Sequence, residues 1–279
     1  MLSGLRVLLF ALLFVPALSA MAETPLRVLT SIKPLQLIAI AVGGDAVHVE
    51  ALLDPQFSPH DYQLRPSDRM KLNDAAIVFW VGPELEAFLQ QPLKSLEGRA
   101  VVIGLQDADV DPHVWMDPLM AISMAQRMAE AMSSARPEKR AYFAANSERL
   151  AAALRQQDAE HRAQLRRAGA LRGFMVSHDA YSRFERRYGL AHRAALTDAA
   201  DMPPSVKTLM GIEQELADGR IACIWRQPHE SKLYERVVAG KNIRVTTIDA
   251  MAAEVLVDVR GIEIFYQRLW QAVMGCVAG

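Results

Sequence analysis

Short apolar runs recur along the chain and alternate with longer stretches whose apolar residues return at helical spacing. Runs rich in Val, Ile and aromatic residues at 26–31, 47–53, 76–81, 100–103, 173–177, 222–225 and 244–248 predict strands. Between them, 34–42, 66–73, 84–90, 118–133, 181–188, 205–218, 232–239 and 261–274 predict helices. Such strands, alternating with helices, belong to parallel sheets covered on both faces. The fold class expected is therefore α/β.

Residues 137–168 break this rhythm. The stretch has no glycine and no proline after Pro137, and is dominated by the good helix formers Ala, Arg, Glu, Gln and Leu. Phe143, Leu150, Leu154 and Leu165 form a sparse apolar stripe on an otherwise charged surface. Pro137 suits a helix start and Gly169 a stop. At 1.5 Å per residue such a helix spans roughly 45 Å, more than one small domain needs. We read it as a rigid strut joining an N-terminal lobe, 23–136, to a C-terminal lobe, 169–279. An ordinary solvent-exposed helix is the alternative.

The first 22 residues read as a secretion signal. Arg6 supplies the positive charge, 7–15 the apolar centre, and Ala20-Met21-Ala22 a small-x-small cleavage site, so the mature chain is expected to begin near Glu23. The apolar run is too short for a comfortable membrane span, and no later segment qualifies, so no membrane insertion is expected after cleavage. Basic and acidic residues balance at 31 against 32, which gives no reason to expect nucleic acid as a partner. Cys223 and Cys276 are the two cysteines, and in an oxidising compartment they are expected to pair. Two unpaired buried thiols are the competing reading.

Three histidines sit in separate loop-like segments: Ser58-Pro59-His60-Asp61-Tyr62, Asp111-Pro112-His113-Val114-Trp115, and Ser177-His178-Asp179-Ala180-Tyr181. Asp249 follows the β-like run Val245-Thr246-Thr247-Ile248 and is a candidate fourth ligand. Imidazoles with one carboxylate suit a borderline divalent cation such as Zn2+. Each of the four lies at or beyond the end of an expected strand, where ligands of open α/β sheets collect. Two facing lobes would place His60 and His113 on one wall of a cleft, and His178 and Asp249 on the other. Asp61 and Asp179 are expected to cap helices or to accept an imidazole N–H. His48, His161 and His192 read as surface or satisfied core residues, while His229, just past a strand end, is an auxiliary candidate.

At these residues the chain resembles the solute-binding proteins of the manganese/zinc ABC importers, most closely the zinc-specific members. The resemblance runs over essentially the whole mature chain. It rests on 59–68, 81–88, His113-Val114-Trp115 with Asp117-Pro118, and His178-Asp179-Ala180-Tyr181, in that order. It implies two α/β lobes joined by one long helix with the metal between them, and makes His60, His113 and His178 metal ligands. A histidine at 178, where manganese-binding relatives carry a carboxylate, favours zinc. Cys223 and Cys276 fall where zinc-specific members carry a disulfide.

The chain departs from that pattern in four places. Only 104–111 stands where zinc-specific members often carry a long His- and acid-rich loop, so a scavenging role for that loop is not expected. Gln227-Pro228-His229 replaces Glu-Pro-Gln, Asp249-Ala250-Met251-Ala252 replaces Asp-Pro-Leu-Gly, and Pro59 stands where some members have Glu. The fourth ligand is accordingly Asp249 or water. The expected function is periplasmic capture of Zn2+ by a monomer that delivers it to an inner-membrane ABC permease. The alternatives are a metal or metal-chelate buffer of altered role and, more remotely, a zinc hydrolase using a metal-bound water.

Overall fold

In a computed structural model of the protein, the structure describes residues 24–106, 111–169, 173–228 and 232–277. The signal segment 1–22 and His229 lie outside the described residues. The first half builds β1 (Leu26–Thr30), α1 (Lys33–Gly43), β2 (Val47–Ala51), α2 (Pro66–Asp74), β3 (Ile77–Trp80), α3 (Gln90–Lys94) and β4 (Val101–Gly104). Its four strands are parallel, in the order β2-β1-β3-β4. Two helices follow, α4 (Pro118–Ala135) and α5 (Arg140–Ala168). The second half comprises β5 (Phe174–His178), α6 (Ser182–Tyr188), β6 (Ala194–Thr197), α7 (Val206–Ala217), β7 (Cys223–Arg226), α8 (Lys232–Val238), β8 (Arg244–Thr247) and α9 (Gly261–Val277). Its parallel sheet runs β6-β5-β7-β8, the same order one half later.

The local reasons are those of the sequence. Strands β3 and β5 are buried along nearly their whole length, as a parallel sheet covered on both faces requires. Helix α4 opens on Asp117, whose carboxylate accepts the Leu119 N–H at 2.8 Å, with Pro118 in the first turn. Helix α5 runs unbroken for 29 residues, about 43 Å. It stops at Gly169, whose φ of 85° is open to glycine and strained for other residues. Phe143, Leu150 and Leu154 are buried beneath it, and Leu165 packs against the same core.

Two expectations shift. A helix over 84–90 becomes a turn, a short 3-10 stretch at Ala87–Leu89 and then α3. The buried Glu86 carboxylate explains this, because it accepts the N–H groups of Val81 and Gly82 at 2.9 and 3.0 Å and folds the chain back on β3. Strand β6 was not expected; Ala194-Ala195-Leu196-Thr197 carries little β signal of its own and is held by pairing with β5.

One apolar cluster is continuous from Leu29 and Ile38 in the first half, through Met128 and Leu154, to Trp225 and Phe265 in the second. A smaller one, including Met175, Ile212, Ile224 and Tyr234, fills the outer side of the second sheet. Polar bonds also cross between halves at the cleft floor. Trp115 Nε1 donates to the Ala250 carbonyl at 2.8 Å, Tyr266 Oη to the Trp115 carbonyl at 2.6 Å, and Lys33 Nζ to the Ala253 carbonyl at 2.8 Å. Cys223 and Cys276 are disulfide-bonded, Cα–Cα 5.8 Å apart, tying β7 to α9. Among the described residues no helix is long and apolar enough to cross a membrane.

Candidate metal centre

Three imidazoles meet between the two sheets, each delivered differently. His60 lies in the loop after β2, where Ser58 Oγ accepts its backbone N–H at 3.3 Å. His113 follows β4 in the Asp111-Pro112-His113 turn. Asp111 Oδ1 accepts both the His113 backbone N–H and its ring Nδ1–H, each at 3.0 Å. Arg183 of α6 donates Nε to the Asp111 carbonyl at 2.8 Å and lies 3.7 Å from its carboxylate, so the opposite half braces this turn. His178 is the last residue of β5, paired in register with Thr197 of β6, and its Nδ1 is 3.0 Å from Thr197 Oγ1.

The ring centroids form a nearly equilateral triangle of 5.4, 5.6 and 5.2 Å. One nitrogen from each ring falls within 4.8 Å of the others, and His113 Nε2 and His178 Nε2 are 3.4 Å apart. Tetrahedral zinc at Zn–N distances of ~2.0–2.1 Å separates its ligand nitrogens by roughly 3.3 Å. One edge of the triangle therefore already has the length the ion requires, and the third nitrogen needs a small inward move. The His113 Nδ1 proton is committed to an acceptor-only carboxylate, so Nε2 is the nitrogen left to face a metal. His60 Nε2 is buried without a hydrogen-bond partner. A buried unpartnered polar atom is costly, and a cation at the centre of the triangle would satisfy it.

The electrostatics suit a cation ligand set. Burial, then His113 and His178, push the His60 imidazole down to about 4. Burial and His113 likewise push His178 to about 4. Both rings are thus neutral at pH 7, the form a metal takes. They line a cleft of about 240 Å3 shared with Phe57, Gln227 and Asp249.

Asp249 lies on the wall of this cleft, outside the cluster of converging nitrogens. Its carboxylate accepts the Met251 N–H at 2.9 Å and the Ala253 N–H at 2.5 Å, and so organises its own loop. Burial raises its pKa, while the amides of Ala253, Met251 and Glu254 and the Lys33 ammonium oppose that rise. Asp179 accepts the Ser182 hydroxyl at 2.7 Å, but the N-cap of α6 is Tyr181 with no side-chain cap bond, so the capping role expected of Asp179 is not seen. Two orienting groups went unrecognised in the sequence: Asp111, whose position two residues before a histidine was the available signal, and Thr197, on the strand the pattern missed. The remaining described histidines have partners outside the cleft. His48 pairs with Glu50 at 3.1 Å, His192 with Glu185 at 2.9 Å, and His161, buried under the strut, stacks on Trp270 with centroids 4.5 Å apart.

Two like-ordered parallel sheets bridged by one long helix, with three imidazoles converging in the crevice between them, define a two-lobed protein built around a cation site. Residues 28–258 match the family described as ZnuA, zinc-uptake complex component A, periplasmic, and the chain belongs to that family. It is 30% identical to the high-affinity zinc uptake system protein ZnuA of Haemophilus ducreyi, over 90% of this chain and 93% of that one. It is also 30% identical to the protein so named from Paracoccus denitrificans, over 85% and 87%. Among solved structures, the periplasmic zinc-binding protein TroA of Treponema pallidum superposes with a TM-score of 0.77 at 19% identity, covering 90% of this chain and 99% of that one. That likeness supports the fold.

Proposed function

We propose that the chain is a periplasmic solute-binding protein that captures Zn2+ in the interlobe cleft and delivers it to an inner-membrane ABC permease. His60, His113 and His178 are its ligands, and an oxygen from Asp249 or from water completes the tetrahedron. The observation that carries this reading is the convergence of three imidazole nitrogens within 4.8 Å in a buried cleft. Three nitrogen donors favour zinc over the oxygen-preferring manganese. In this reading the signal is cleaved near Ala22/Glu23, and the mature chain works as a monomer with lobes 23–136 and 169–279 joined by 137–168. The apolar cluster that runs through both lobes resists wide closure, so release relies on the permease straining the site. Membership of the family makes the chain a binding component and not a hydrolase.

Calorimetric titration of metal-free protein with Zn2+ tests the proposal. One saturable site per chain is expected, and absence of saturable binding near that stoichiometry would overturn it. Tighter binding of a zinc chelate than of free zinc in the same experiment would point instead to the chelate-binding role.

A further inference from the structure

The back of His178 and the loop of His60 meet at a single side chain, Asp201. Its Oδ1 accepts the Thr197 hydroxyl at 3.1 Å, and its Oδ2 accepts the Ser58 hydroxyl at 3.2 Å. Thr197 Oγ1 lies 3.0 Å from His178 Nδ1, while Ser58 Oγ accepts the His60 backbone N–H. Asp201 is held at φ 61°, a left-handed conformation that Asp tolerates better than most residues. One carboxylate thus reaches ligands on both walls of the cleft.

A hydroxyl has one proton to give. The acceptors within reach of Thr197 Oγ1 are His178 Nδ1 at 3.0 Å, the Asp201 carboxylate at 3.1 Å and the Ser177 carbonyl at 3.4 Å. Of these the carboxylate alone is charged, and a charged acceptor takes the proton preferentially. The contact with His178 Nδ1 then forms only if the ring nitrogen donates. His178 is fixed with hydrogen on Nδ1, and Nε2 faces His113 Nε2 at 3.4 Å with a bare lone pair.

Resting on the zinc reading above, we propose that Asp201 and Thr197 are positioning residues of the metal site. Asp201 orients the Thr197 hydroxyl, Thr197 commits His178 to the metal-binding tautomer, and the Asp201–Ser58 bond registers the His60 loop against it across the cleft. Neither residue contacts the ion. Their contribution is to hold two of the three imidazoles in the geometry the ion needs, as outer partners of metal ligands do.

The test combines zinc affinity with the ring tautomer. Thr197→Val keeps the shape and removes the hydroxyl, and is expected to weaken zinc binding roughly 10–100-fold. Thr197→Ser restores the hydroxyl and should return the affinity to near wild type. Asp201→Asn keeps the left-handed backbone, and its loss should be smaller in the Thr197→Val background than in the wild type, because only the Ser58 arm is then left to lose. In metal-free protein, 15N spectra should show His178 as a single Nδ1–H tautomer that becomes mixed in Thr197→Val. An unchanged tautomer, no rescue by serine, or additive losses would overturn the proposal. Failure of the wild type to bind zinc would instead overturn the function, while the metal-free tautomer would still report on the relay.

Discussion

On the N-terminal wall of the cleft, His60 and His113 ride on loops that leave β2 and β4, whereas on the C-terminal wall His178 is itself the last residue of β5. Turn chemistry fixes the loop-borne rings: Ser58 holds the His60 backbone, and Asp111 holds the His113 backbone and ring. A neighbouring strand fixes the strand-borne ring through Thr197. The halves also differ in how they are held together. The first sheet shares its core with α1, α4 and the strut, while the second has a separate outer cluster and the disulfide between β7 and α9. Loop ligands thus depend on nearby residues and the strand ligand on long-range pairing, although all serve one point in space.

The largest expected effect separates the halves by stability. The disulfide spans 53 residues, all in the second half. Replacing Cys276 with serine should cost about 4 kcal/mol in the chain-entropy account, read as a lowered denaturant midpoint; a midpoint unmoved by the change would deny it a stabilising role. Next come the ligands. His113→Ala and His178→Ala should each weaken zinc binding by more than roughly 100-fold, beyond the loss of an outer partner. Similar losses from both walls are the mark of one shared ion, and a neutral effect on either side would break the comparison.

The difference between the walls also sets what could be read in advance. The strand and helix alternation, the strut with its Pro137 start and Gly169 stop, and the three histidines beside Pro or Asp are all carried by local pattern. His113 was legible through Pro112 beside it, and its support, Asp111, though unrecognised, is only two residues away. The support of His178 was not, because β6 is a weak sequence stabilised by its register with β5, and Asp201 comes to the cleft only through that strand. His161, read as a surface or satisfied core residue, is the latter: α5 turns it inward onto Trp270, a contact 109 residues distant in the chain that no local period reveals.

Smaller effects sharpen the picture. Asp111→Asn keeps an acceptor beside His113 but removes the charge, and a loss of roughly 10-fold in zinc affinity is expected, at the low end for an outer partner. Calorimetry would detect it, and an unchanged affinity would mean that the loop alone orients the ring. The smallest effect is that of pH near neutrality. Because the His60 and His178 imidazoles are pushed down to about 4, they are already neutral at pH 7, and protons compete with zinc only as the pH falls towards that value. For these two rings, binding should be nearly flat from neutral to mildly acidic pH and then fall steeply. NMR titration of metal-free protein should find both well below His192, which the Glu185 carboxylate raises against the opposing effect of burial. Titration of either ring near its ordinary value would contradict this.

The central claim is that imidazoles from both walls bind one ion, and X-ray absorption at the zinc edge of the loaded protein tests it most directly. The account predicts one zinc per chain, with three imidazoles and one oxygen at ~2.0–2.2 Å and no sulfur. Two or fewer imidazoles in that spectrum would contradict it.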